Sequence, residues 1–247
     1  MLPLLMLSVV WSFPSESLLR SCRGPTAARL TDEMLRQYEP AILWSNVDDR
    51  VKLLVDDRHR GHLRVSYPGS AWGSDSSGAQ IKFKVPASES ATCQYRLRFA
   101  EGFEFAKGGK LPGLAGGTAT TGRKRPSGDG WTARLMWRRY GDAVLYLYHL
   151  DQRERYGDDF PLNVRFQANR WYDIRQRVTV NREHQNDGRV QVWVDGQEVL
   201  DQRNLRLRLG NAAPVDLFYF STFFGGRGSD WAPSTDQSID FADFSVW

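Results

Sequence analysis

Lysine is the scarce cation of this 247-residue chain, with six lysines against 27 arginines. Cysteine and histidine are scarcer still, at two and four. Cys22 and Cys93 allow at most one disulfide in an oxidising compartment, with two free thiols as the alternative. His59 and His62 are three residues apart, but no second ligand pair follows and His149 and His184 stand alone, so no zinc-ligand spacing forms. Beyond the N-terminus there is no apolar run of about 18 residues, which excludes a spanning helix there. Acidic residues are fewer than basic ones, and the formal net charge is +4. That balance favours an anionic partner such as nucleic acid, an acidic polysaccharide or a membrane surface.

What is present points to β structure. Aromatics at 13% and charged residues at 25% supply a large core and a soluble surface, and the length fits one all-β domain. Leu2 to Trp11 is an apolar stretch followed by Pro14 and small residues, the pattern of a secretory leader over residues 1–17. This predicts an exported chain with a single domain over residues 18–247. "TDEMLRQY" from Thr31 is the best helix, with Thr31 as cap and Met34, Leu35 and Tyr38 on one face. About ten alternating segments follow, from "HLRVSYP" to "IDFADFSVW", punctuated by Gly, Pro and Asn-Asp. They predict a jelly-roll sandwich of two antiparallel sheets with a short N-terminal helical segment. "VQVWVDGQEVLDQ" reads as a hairpin turning at Asp195-Gly196. Gly108 to Gly130 reads as the longest strand-free stretch, a functional or disordered loop.

Two of the six lysines, Lys107 and Lys110, fall in "FAKGGKLPGL", which reads as a glycine-rich turn. It is not a phosphate loop, because Lys110 is followed by Leu111 and Pro112 where Ser or Thr and a helix would be needed. Nucleic-acid binding would need basic residues interleaved with exposed aromatics, whereas these aromatics follow strand alternation and belong to a core.

In "GWTARLMW", alternation places Thr132, Arg134 and Met136 on one face. In "AVLYLYHL" it places Tyr146 and Tyr148 together, with His149 opposite and structural. Gly141-Asp142 marks a turn between the two segments, so they pair antiparallel. Arg134 and both tyrosines then line one concave face, with Lys110 delivered by the preceding turn. Cations and phenols without paired carboxylates suit β-elimination on a uronic acid polymer. The cations stabilise the enolate-like charge at the sugar carboxylate, a base takes the C5 proton and an acid protonates O4. A positive field should lower a neighbouring tyrosine's pKa from about 10. A glycoside hydrolase would instead need two carboxylates.

"KGGKLPGLAGG", "GDGWTARLMW", "LYLYH" and "FYFSTFFGG", in that order, resemble polysaccharide lyase family 14 over roughly Arg64 to Trp247. The resemblance implies a jelly-roll lyase acting on alginate or glucuronan. It implies an active cleft with Lys110, Arg134, Tyr146 and Tyr148, and with Thr132 where the family has a serine. Arg134 would neutralise the substrate carboxylate through its bidentate fork. Lys110 would assist it, or act as base if its pKa is depressed. The two tyrosines would share proton abstraction and leaving-group protonation. Lys107, Ser221 and Thr222 are further candidates to contact substrate, Trp72 and Trp231 to stack on sugar rings, and Gly122 to Gly130 to form a basic lid. The implied chemistry needs no cofactor and no metal. Its partner is an anionic polysaccharide, with no nucleic acid or membrane, and the chain is expected to be a monomer. The alternative is a non-catalytic, lectin-like jelly roll, which would keep the cations without needing both phenols.

Overall fold

The computed structural model describes residues 11–21, 26–56, 58 and 60–247. Cys22 and His59 lie outside these residues, and with Cys22 the choice between one disulfide and two free thiols. The described residues form two helices, α1 (Glu16–Ser21) and α2 (Asp32–Tyr38), and sixteen strands. The strands are β1 (Trp11–Phe13), β2 (Thr26–Arg29), β3 (Ile42–Asn46), β4 (Val51–Val55), β5 (Gly61–Tyr67), β6 (Ala79–Ser88), β7 (Ser90–Phe99), β8 (Gly108–Gly117), β9 (Gly130–Arg138), β10 (Asp142–Tyr148), β11 (Asp158–Arg165), β12 (Trp171–Thr179), β13 (Gly188–Val194), β14 (Gln197–Leu205), β15 (Val215–Thr222) and β16 (Gln237–Val246). One sheet runs β14-β13-β12-β7-β16-β5-β4-β2, with β1 also on β16. The other runs β11-β10-β9-β8-β15-β6-β3. This is the expected jelly-roll sandwich of two antiparallel sheets.

Period-two alternation builds both layers. In β7, Ala91, Cys93, Tyr95, Leu97 and Phe99 point into the core, while Arg96 and Arg98 point out. The β13–β14 turn has positive φ at Asp195 (52°) and Gly196 (81°), the two-residue geometry that matches strand twist. Thr31 caps α2 by accepting from the Met34 amide. Between the sheets, the rings of Phe103, Trp137 and Phe224 sit 5.3–5.7 Å apart, centroid to centroid.

Two expectations are corrected. The lysine motif is not a turn but β8, a central strand of the seven-stranded sheet. Positive φ is confined to Gly108 and Gly117 at its ends, and the glycines between them serve close packing. A Cβ at Gly109 would lie 2.1 Å from the Trp137 ring, and one at Gly116 would lie 2.5 Å from Trp131 Nε1. Pro112 is tolerated because the β8–β9 register shifts between Leu111 and Gly113, and its carbonyl accepts from Tyr95 Oη at 3.0 Å. Strands also precede Gly61, where none was expected. β1 covers Trp11–Phe13, where Phe13 packs on Phe83 and Phe244, and residues 1–10 of the segment read as a leader lie outside the described residues.

Candidate active site

The seven-stranded sheet turns one face to the core and the other to a cleft, which is why β8, β9 and β10 are buried on both faces. Strand register fixes the cleft face. Arg134 stands opposite Tyr146 and Thr132 opposite Tyr148 across β9–β10, on the face that alternation predicted for them. Lys110 stands opposite Met136 across β8–β9. A cavity of about 640 Å³ opens there, lined by Lys110, Arg134, Met136, Tyr146, Tyr148 and Trp231 among others.

Arg134 is 3% exposed. Its β8 neighbour in register is Gly113, so no side chain blocks the guanidinium from reaching across to β15. There Nη1 donates to Ser221 Oγ at 3.0 Å, and the guanidinium carbon lies 5.2 Å from the centroid of the Tyr219 ring. Nε is buried without a partner among the described residues. Gln80 Oε1 accepts from Tyr219 Oη at 2.7 Å and from Ser221 Oγ at 3.4 Å, so the groups that hold Arg134 are themselves held.

The Lys110 amine lies 3.6 Å from the Tyr146 ring centroid, and its hydrogen-bond partner is the Met136 sulfur. Burial lowers its pKa well below the usual lysine range, and Arg134 and Arg138 lower it further, while Asp159 opposes them. Asp159 is spoken for by Arg138, which grips it through two bonds of 2.8 and 2.7 Å. Lys110 thus sits where its charged form is disfavoured, with a sulfur and an aromatic ring as its neighbours and no carboxylate in contact.

Tyr146 Oη and Tyr148 Oη are 3.3 Å apart, with their rings edge to face. The expectation that cations lower the tyrosine pKa fails at Tyr146. Burial raises it, the Tyr148 hydroxyl adds to the rise, and Arg134 and Arg138 only partly offset it. Tyr146 is thus a protonated phenol in the free protein.

The other candidate residues separate. Ser221 is fully buried behind Arg134 and positions it. Thr132 is also fully buried and donates to the Thr120 carbonyl at 3.2 Å, so it supports a loop beside the cleft. Thr222 is corrected outright: alternation along β15 turns it into the core, where its hydroxyl meets Tyr67. Lys107 is half-buried outside the cavity and ion-pairs with Asp230. Trp231 lines the cavity and Trp72 does not. Gly122 and Arg123 of the basic loop line it too, and Arg123 Nε reaches Tyr156 Oη at 2.9 Å.

Gln80, Arg138 and Asp159 were missed. Gln80 and Asp159 come from strands remote in sequence from the lysine and arginine motifs. Arg138 shares the alternation of Arg134 and Met136, which was the available signal.

An open β-sandwich whose concave sheet carries a lysine, an arginine and two phenols defines a carbohydrate-active enzyme for acidic polymers. Among the described residues a single carboxylate, Asp159, lines the cavity, so hydrolysis by a carboxylate pair lacks its second member. The polysaccharide lyase 14 family model matches residues 55–244, and the chain belongs to that family. It is a carbon–oxygen lyase acting on polysaccharides. The PL-14 alginate lyase of Aplysia kurodai is 26% identical, with 97% of this chain and 99% of that one covered at a TM-score of 0.79. A mutant of alginate lyase Aly36B in complex with an alginate tetrasaccharide is 24% identical over 90% and 92% of the chains, TM-score 0.77. An endo-β-1,4-glucuronan lyase of Trichoderma reesei is 11% identical over 89% and 92%, TM-score 0.56. The last two share the fold. No curated protein matches the chain.

Proposed function

We propose that the protein cleaves alginate, or a closely related uronate polymer, by β-elimination in the cleft of Lys110, Arg134, Tyr146 and Tyr148. One observation carries this: Lys110 and Arg134 face the cavity without a carboxylate of their own, beside two hydroxyls 3.3 Å apart. A uronate carboxylate supplies the anion that Arg134 lacks. Its pairing with Arg134 stabilises the charge that builds at C5 and the carboxylate as the proton leaves.

The neutral Lys110 amine takes the C5 proton. The electron pair forms the C4–C5 double bond and expels O4, and the Tyr146–Tyr148 pair returns a proton to that oxygen. The products are a new free hydroxyl on one fragment and an unsaturated uronate on the other. Lys110 suits the base because it is depressed, and Tyr146 suits the acid because it is raised. Alginate is favoured over glucuronan by the 26% identity to an alginate lyase across nearly the whole of both chains.

The test is ultraviolet absorbance of the conjugated product from polymannuronate, polyguluronate, glucuronan and heparin, each offered separately. A rise on polymannuronate or polyguluronate is expected. A flat trace on all four, with binding retained, would leave a lectin-like module instead.

A further inference from the structure

The cationic face does not end at the cavity wall. Gln80 lines the cavity from β6, and Lys82 follows two residues on along the same face of that strand. Lys82 stands in register with Tyr219 of β15 on one side and Trp44 of β3 on the other. Its amine lies 5.2 Å from the Tyr219 ring centroid, and the Arg134 guanidinium lies 5.2 Å from the same centroid. The two cations are therefore no more than twice that distance apart, with one tyrosine between them. Lys82 is half-buried, and burial and then Arg134 hold its amine below the usual lysine value, with no carboxylate acting against them.

Trp44 lies on the edge strand of the sheet and is 44% exposed, beside Leu43 at 59%. A lone surface tryptophan needs no explanation. A tryptophan in register with an uncompensated lysine, on the same face as a cleft for an anionic sugar, does need one. An indole offers a flat apolar surface to the C–H face of a pyranose, and an ammonium beside it offers a partner for that sugar's carboxylate.

We infer that Trp44 and Lys82, the lysine held against the buried ring of Tyr219, form a distal subsite, which binds a second uronate of the same polymer chain away from the bond being cleaved. The occupant is fixed by continuity with the cavity through Gln80 and by the sign of the charge. The inference rests on the uronate-lyase reading above. Binding energy from such a remote sugar holds the chain in place while the reacting sugar is distorted, so long substrates should turn over better than short ones.

The test compares kcat/KM on polymannuronate with kcat/KM on the shortest mannuronate oligomer the enzyme cleaves, for wild type, Trp44→Ala, Lys82→Ala and Lys82→Arg. The polymer-to-oligomer ratio should fall about tenfold in Trp44→Ala and in Lys82→Ala, the size of one lost contact, and recover in Lys82→Arg. A ratio within about twofold of wild type in both alanine variants, or a parallel fall on every length, would overturn the subsite. If wild type is inactive on every uronate polymer, the elimination reading fails by itself. The subsite is then judged by calorimetric binding of a mannuronate hexamer, where unchanged affinity in Lys82→Ala would overturn it and an affinity loss of about tenfold would sustain it.

Discussion

On the nine-stranded sheet, Arg64 and Arg98 both hydrogen-bond the buried carboxylate of Asp240. Arg189 and Arg203 share Asp201, and Arg96 lies between Asp173 and Asp243. On the outer face of the seven-stranded sheet, Lys110, Arg134 and Lys82 have sulfur, hydroxyl and aromatic neighbours, with no carboxylate in contact. Arg138 there holds an acid, Asp159, and at the sheet's far edge Arg165 holds Asp142. The same chain thus spends positive charge in two ways. Where the anion is built in, a cation contributes stability and is chemically idle. Where the anion is left out of a partly buried site, Arg134 keeps a desolvation cost that a substrate carboxylate can relieve, and Lys110 is pushed toward its neutral form.

Five variants break or sharpen that contrast. Lys110→Ala should have the largest effect, about a thousandfold in kcat, within the range for removing a general base. The pH profile carries the same assignment. Burial and two arginines depress the Lys110 pKa, so the amine is neutral above that lowered value and protonates as pH falls through it. Wild-type kcat/KM should therefore drop on its acidic side, and Lys110→Ala should lose that limb.

Arg134→Ala comes next, at about a hundred- to a thousandfold in kcat, the scale of a lost transition-state donor. Added guanidinium should restore part of it, whereas Arg134→Ala with no rescue and a collapsed thermal transition would point to packing alone. Tyr146→Phe and Tyr148→Phe should each cost about a hundredfold, the low end for an acid or base. Near-wild-type turnover in both would remove the phenols from the mechanism.

Asp240→Asn belongs to the other face. It should lower stability by about 2 kcal/mol in a denaturant titration while turnover on polymannuronate persists, because its bonds to charged arginines are partly solvent-screened. Burial alone would raise the Asp240 pKa, but the bonds from Arg64 and Arg98 outweigh it and the net shift is downward. The stability it adds is complete above the unfolded aspartate value of about 3.9 and is lost as pH falls through the lower folded value. A large loss of turnover in folded Asp240→Asn would contradict the division between the two faces.

The site was more legible than the strand that carries its lysine. Alternation in "GWTARLMW" and "AVLYLYHL" placed Arg134, Tyr146 and Tyr148 on one face of an antiparallel pair, where the strands have them; the register that sets Arg134 opposite Tyr146 was not legible. The Asp195-Gly196 hairpin and the Thr31 cap were legible because each is a local rule. β8 was not, because glycine and proline mark turns in isolation, whereas Gly109 and Gly116 are small to admit Trp137 and Trp131 from a neighbouring strand. That demand is tertiary and leaves no local trace. The raised pKa of Tyr146 was hidden for the same reason: nearby cations can be counted in a sequence, but burial cannot. Thr222 was misplaced by a single step of alternation from Ser221, which inverts the face.

The most direct test of the central claim is the mass spectrum of the fragments that purified protein releases from polymannuronate. Elimination predicts that every fragment whose non-reducing end was made by cleavage is one water lighter than the corresponding hydrolysis product and carries an unsaturated uronate at that end, while the fragment bearing the polymer's original non-reducing end is saturated. Fragments with the full water added, or binding of the polymer with no fragments at all, would contradict it.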